Sequence, residues 1–223
     1  MADGVLYIGQ RRYSSWSLRG WLPVMLAGLD VEVKVLRFTR PGPTKAIEET
    51  SPNRLVPYLE HQGARIWESL AICEYCAEFA PGLWPEDRIA RAHARAIASE
   101  MHAGFRALRG AMWMNLGRDF SGLGRTPDAL ADIARIEAMW AETRARFGAG
   151  GPYLFGATFG MADVMFAPVV ARFLGWKPVL TAETEAYCAA VRAHPLIEDW
   201  YRGAAAEPAD WLVADYEVTP HSA

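Results

Sequence analysis

Hydrophobic and polar positions change rhythm twice along this 223-residue chain. The run Val5-Leu6-Tyr7-Ile8 reads as a short buried strand. From 15 to 28, Leu18, Trp21, Leu22, Met25 and Leu26 recur at helical spacing, and Gly28 supplies a stop. Residues 31–38, VEVKVLRF, alternate and are rich in valine, which predicts a strand. Residues 40–54 read as loop with one helical turn. VPYLEH and ARIW flank His61-Gln62-Gly63, a hairpin signal, and SLAICEYCAEFA then returns to helical spacing. A strand, a helix and a strand in that order imply a parallel pair with a helical crossover, and the hairpin adds antiparallel strands. The first 80 residues are therefore expected to form a mixed sheet with helices packed on it.

PGLWPEDR (81–88) breaks this pattern and reads as a linker. Beyond it nearly everything is helical. Ile89, Ile97, Met101, Phe105, Leu108 and Met112 step by three, four or eight, and Leu130, Ile133, Ile136, Trp140 and Phe147 repeat the rhythm. Residues 161–174 are apolar nearly all round, as in a helix buried on every side. Two more helices are expected at about 181–193 and 196–206. The predicted organisation is an α/β domain over 1–80, a linker over 81–88 and an all-helical domain over 89–223.

Composition narrows the classes. Apolar residues are 52% and charged residues 22%, ordinary for a globular protein, and a net charge of −3 gives no broad attraction to nucleic acid or anionic lipid. The start, MADGVLYIGQ, has neither a basic n-region nor a long apolar segment. The most apolar later stretch, 159–176, is interrupted by Asp163, Pro168 and Arg172 and is too broken to span a bilayer. A cytoplasmic protein is expected. Cys73-Glu-Tyr-Cys76 is formally C-x-x-C. A zinc site would need a second Cys or His pair, and a redox pair would sit at a helix start. This pair lies several residues inside a helix, on its apolar face, and reads as two small buried side chains.

Three stretches carry candidate chemistry. RRYSSWSLRG (11–20) puts Ser14, Ser15 and Ser17 where a strand gives way to a helix. The first amides of a helix are unpaired and favour an anion, and a hydroxyl there can donate to one. One serine is enough for an N-cap; three, with Tyr13 and Trp16 among them, exceed that need. No G-x-S-x-G or histidine pattern supports a hydrolase triad. SPNRLVPYL (51–59) places Pro57 at a strand entrance; a cis Val56–Pro57 bond would turn the Val56 backbone outward to pair with an extended peptide. Trp67-Glu68-Ser69 sits at a strand-to-helix junction, suited either to capping or to a zwitterion, with Glu68 taking an ammonium and Ser69 a carboxylate. Arg11, Arg12, Arg37, Arg40, Lys45 and Arg54 fall in predicted loops or strand ends, either holding a small acidic ligand or solvated.

Taken in order, SSWSLR, SPNRLVPYL and WESLAICEYCAE, then a linker and an all-helical second half, resemble the glutathione transferase superfamily over nearly the whole chain. The serine motif is closest to the serine-type classes, particularly zeta, whose pattern reads Ser-Ser-Cys-Ser-Trp-Arg. The resemblance implies a thioredoxin-like glutathione-binding domain followed by a helical bundle domain that forms the second-substrate site. It implies Ser14 as the thiol-activating hydroxyl, five residues before Arg19, with Ser15 the second choice and Ser17 the helix cap. Val56 would pair with the cysteinyl backbone across a cis Pro57, Glu68 and Ser69 would hold the γ-glutamyl end, and Arg40, Lys45 or Arg54 would meet the glycine carboxylate. The second substrate, a small apolar electrophile, would lie against Trp16, Met101, Phe105, Met112 and Trp113. Glutathione enters as co-substrate, no metal is implied, and a homodimer is expected.

Three positions depart from the pattern. Trp16 replaces the zeta cysteine and argues against zeta-type isomerase activity. Leu55 stands where Gln or Lys often contacts glutathione. Gly160 stands where Ser or Thr usually caps the buried helix reciprocally with Asp163, which is read as structural. Beside conjugation, two alternatives remain: a non-catalytic carrier of glutathione or an apolar ligand, and a glutathione-dependent isomerase or peroxidase.

Overall fold

The computed structural model describes residues 2–218. Four strands, β1 (Gly4–Gly9), β2 (Val31–Leu36), β3 (Tyr58–His61) and β4 (Ala64–Trp67), form one sheet in the order β2-β1-β3-β4. β1 runs parallel to β2 and antiparallel to β3, and β3 is antiparallel to β4. The crossover between β1 and β2 is helix α1 (Ser15–Leu26), and the mixed sheet is the one the alternating pattern implies. In β2, Val31, Val33 and Val35 pack on the core while Glu32 and Lys34 point outward, the period-2 split of a half-buried edge strand. Helix α2 (Lys45–Thr50) is the single turn expected in the 40–54 loop, slightly extended. Helix α3 (Ser69–Phe79) packs beside α1.

The rest is helical: α4 (Arg88–Ala103), α5 (Arg106–Ala111), α6 (Pro127–Phe147), α7 (Met161–Trp176), α8 (Ala182–Arg192), α9 (Pro195–Ala205) and the short α10 (Ala214–Glu217). Helix α7 is buried almost throughout and touches α1, α4 and α8, so it is the central post of the molecule. None of the described helices is long and apolar enough to cross a membrane.

Local sequence explains how the ends of these elements are fixed. Asp163 accepts hydrogen bonds from the Gly160 amide (3.0 Å), the Leu154 amide (3.1 Å) and the Tyr187 hydroxyl (2.9 Å). Gly160 leaves the hydroxyl half of the cap missing, and these three donors anchor the start of α7 instead. Burial raises the Asp163 carboxyl to about 6 while its hydrogen bonds pull the other way. Pro23, inside α1, removes the amide that would bond the Arg19 carbonyl, and the Cys73 thiol points at that oxygen at 4.0 Å. Cys73 and Cys76 are both buried, and burial pushes both thiols up, Cys76 to about 12. They are inert packing groups at neutral pH, as their place inside a helix suggested.

Candidate active site

The three serines divide their work by geometry. Ser14 is the N-cap of α1: its Oγ accepts from the Ser17 amide at 3.2 Å and donates to Ser17 Oγ at 2.7 Å. Ser17 Oγ in turn accepts from the Gly9 amide at 2.8 Å, tying the helix to the end of β1. The expectation that Ser17 caps the helix is corrected: the first turn begins at Ser15, so the capping oxygen belongs to the residue before it. Ser15 faces the other way. Its Oγ accepts from Arg172 Nη2 of α7 at 3.3 Å.

Ser14 and Ser15 open onto a cavity of about 390 Å³ whose wall also includes Tyr13, Trp16, Trp113, Arg109, Arg172 and Tyr216. Among the described residues, no carboxylate stands on that wall. A second cavity of about 420 Å³ adjoins it and shares Trp16, Leu55, Val56 and Arg109. Its far end holds Glu68, Ser69, Asn53, His102 and Arg106. Together they form one cleft, running from the β4–α3 junction past the start of α1 to the helical half.

The Val56–Pro57 bond is cis, and Val56 lines both cavities. Gly20 lets α1 approach this turn: a Cβ on Gly20 would lie 2.4 Å from Pro57 Cγ. Glu68 has φ 70° and ψ 124°, a strained conformation for a residue with a side chain. Its carboxylate lies 3.3 Å from Asn53 Nδ2 and 3.6 Å from His102 Nε2. The Ser69 hydroxyl beside it is buried without a partner among the described residues, so it has hydrogen-bonding capacity to spare in the cavity lining.

Cations gather around Trp16. Arg109 and Arg19 hold their guanidinium carbons 4.8 Å and 5.0 Å from its ring centroid, and His102 meets the ring edge-on at 5.3 Å. Arg19 is fully buried; its Nε donates to the Met165 carbonyl at 2.8 Å, and both terminal nitrogens are without partners among the described residues. Burial first, then the charges of Arg172 and Arg109, lower the Arg19 pKa. Burial and Arg109 pull Arg172 down to about 9. Burial also lowers His102, with Glu68 opposing and Arg19 and Arg109 reinforcing the shift.

Several expected site residues lie elsewhere. Met101 and Met112 are fully buried and Phe105 nearly so; they pack the helical core and reach neither cavity, because the apolar face of α4 and the two ends of α5 point inward. Trp16 and Trp113 do line the cleft. Arg54 is exposed and paired with Glu48 at 3.0 Å, Lys45 pairs with Glu49 at 3.6 Å, and exposed Arg40 lines neither cavity. Arg106, Arg109, Arg172 and His102 were not foreseen as site residues. Arg172 had a visible signal, being the lone cation in an apolar run; the others depend on how α4 and α5 meet the sheet.

Comparison with known proteins gives this cleft a family. Residues 13–78 match the model of the glutathione S-transferase N-terminal domain, and residues 90–203 match that of the C-terminal domain. The chain belongs to the glutathione S-transferase family. A probable maleylacetoacetate isomerase of Caenorhabditis elegans is 30% identical over 169 residues, covering 74% of this chain and 77% of the worm protein. The maleylacetoacetate isomerase of Rattus norvegicus is 30% identical over 174 residues, covering 75% and 77%. Among solved structures, a Burkholderia glutathione transferase homologue with bound glutathione aligns with a TM-score of 0.69 at 21% identity, over 92% of this chain and all (100%) of that one. A tau-class transferase from mango gives 0.67 at 20% identity, over 91% and 96%. At those identities the structural likeness is one of fold: a thioredoxin-like transferase domain followed by the helical transferase domain.

Proposed function

We propose that this transferase binds glutathione along the cleft, ionises its thiol at the start of α1 and adds the thiolate to a small electrophile held against Trp16 and Trp113. The observation that carries this reading is the cleft itself, where the outward-facing Val56 turn, the unpartnered Ser69 hydroxyl and the Ser14–Ser15 helix start line one continuous surface. The cysteinyl backbone pairs with Val56 as an added strand, whose amide donates to nothing among the described residues. Glu68 takes the γ-glutamyl ammonium, and Ser69 with the first amides of α3 takes its carboxylate. The sulfur then lies at the N-terminus of α1, where serine hydroxyls and the helix-start field favour an anion.

A free thiol, with a pKa near 8.5, is only a few per cent ionised at neutral pH. Lowering it by about two units supplies roughly 2.7 kcal/mol of preference for the thiolate. The thiol proton leaves to solvent, and the thiolate forms a carbon–sulfur bond with the electrophile. A second reading, glutathione-dependent isomerisation, is favoured by the names of the curated relatives at 30% identity. It uses the same thiolate as a reversible nucleophile that adds to a conjugated double bond and is then expelled. Trp16, in place of the smaller cysteine, narrows the space beside the sulfur and favours conjugation. We also propose a homodimer, supported by Trp67, Phe79 and Ile89, which remain 43%, 46% and 61% exposed on β4, α3 and α4.

The test is steady-state turnover of a neutral aryl halide with glutathione, alongside glutathione-dependent isomerisation of an unsaturated acid. Conjugation well above the uncatalysed rate supports the first reading, and isomerisation with weak conjugation supports the second. Glutathione binding without either activity would leave a carrier protein.

A further inference from the structure

We infer that Arg172, reaching out of the helical domain, works with Ser15 to ionise the glutathione thiol, so that Ser15 rather than Ser14 is the hydroxyl that meets the sulfur. The inference rests on the glutathione reading and adds the residues that carry its chemistry. The Ser14 and Ser15 hydroxyls are bonded differently. Ser14 Oγ is engaged inside the helix start, accepting from the Ser17 amide at 3.2 Å and hydrogen-bonded to Ser17 Oγ at 2.7 Å. Ser15 Oγ instead accepts from the Arg172 guanidinium at 3.3 Å and has no acceptor of its own among the described residues. An acceptor from a cation has its own proton free, and that proton is polarised outward. Ser15 lines the cavity, so the free proton can be aimed at a ligand there.

Arg172 lines the same cavity as Ser15. It is 4% exposed, its Nη1 is anchored to the Pro168 carbonyl one turn back at 3.0 Å, and its Nε has no partner among the described residues. No carboxylate pairs with it in any ion pair among the described residues. Arg109 and the fully buried Arg19 are its charged neighbours, so the guanidinium sits among like charges. A buried cation without a counterion is costly unless an anion arrives. A thiolate at Ser15 is such an anion, and the gain is mutual: whatever the thiolate does for Arg172, Arg172 does for the thiolate. The step breaks only the S–H bond. The proton passes to solvent, and the sulfur keeps the electron pair while accepting the Ser15 O–H. Arg172 acts through Ser15 and through its charge, and is a positioning residue.

The experiment is an ultraviolet titration of the glutathione thiolate bound to the whole protein, for wild type, Ser14→Ala, Ser15→Ala, Arg172→Met and Arg172→Lys. The expected result is a lowered thiol pKa in wild type and Ser14→Ala. It should rise by about one unit or more in Ser15→Ala and Arg172→Met, with most of the rise reversed in Arg172→Lys. A bound thiol pKa that stays at the wild-type value in a folded Ser15→Ala overturns the inference, even if Arg172→Met fails to fold. A pKa that rises only in Ser14→Ala overturns it as well. Failure of wild type to bind glutathione, or binding with an unshifted thiol, sinks the functional reading itself and is told apart by the wild-type curve alone.

Discussion

At the scale of single residues, the cleft is built from groups whose bonding is left unfinished. Ser69 is the clearest case: a buried hydroxyl with no partner among the described residues adds no hydrogen bond of its own to the fold. Ser69→Ala is therefore expected to leave the melting temperature unchanged or slightly raised, while a hydrogen bond to a charged ligand is lost. Glutathione affinity should fall about ten-fold or more, measured by calorimetry beside thermal unfolding. A drop in stability with affinity intact would instead make the hydroxyl a structural group. The three neighbouring serines show how far sequence reaches at this scale. Their clustering at a helix start marked the spot, but which one caps depends on where the first turn begins, and a shift of one residue exchanges their roles. Arg40 and Arg54 were legible as cations near the site, yet the loop carries them to solvent, a matter of chain path that residue type does not encode.

At the scale of elements, two close approaches hold the site together. The first is α1 against the cis-proline turn, possible because residue 20 is glycine. Gly20→Ala puts a methyl into the Pro57 ring and must push the turn away from α1. The expected outcome is a several-fold to ten-fold weaker glutathione KM with kcat less affected, since Val56 moves more than the serines do. The second is the start of α7, the element that carries Arg172. Asp163→Ala removes three hydrogen bonds at once and should cost about 2–4 kcal/mol in denaturant unfolding. Its pH dependence has a definite sign. The folded carboxyl is raised to about 6 against an unfolded value near 3.9. Its contribution is thus fully present below about pH 4 and declines as pH rises through 6. The alanine variant should lose that decline, which stability curves at several pH values will check. The element order itself was readable: period-two valines in β2, 3.6-period apolar positions in α1 and the nearly all-round apolar surface of α7 each point to one structure. The same periodicity could not say which faces of α4 and α5 fill the core, and so Met101 on α4 and Met112 at the end of α5 were expected in a pocket they do not reach.

Across the whole molecule, the site belongs to neither half alone. The sheet half supplies the helix start, the Val56 turn and the Glu68–Ser69 junction, while the helical half supplies Arg109, Arg172 and Trp113. Contacts between α1 and α7 join the two, and the Arg19 guanidinium bonded to the Met165 carbonyl is buried in that seam. Such joint sites are hard to read from sequence because their residues are far apart in the chain; Ser15 and Arg172 are 157 positions apart. The central claim is that glutathione binds here as a thiolate. Its most direct test is calorimetric titration of glutathione into the protein at neutral pH in buffers of different ionisation enthalpy, which counts protons exchanged on binding. A thiol protonated in solution whose pKa falls by about two units in the site must release most of its proton, so the expected count at pH 7 is about 0.7 proton released per site. Binding with no proton release would mean that the sulfur stays a thiol in the cleft, and would contradict the account.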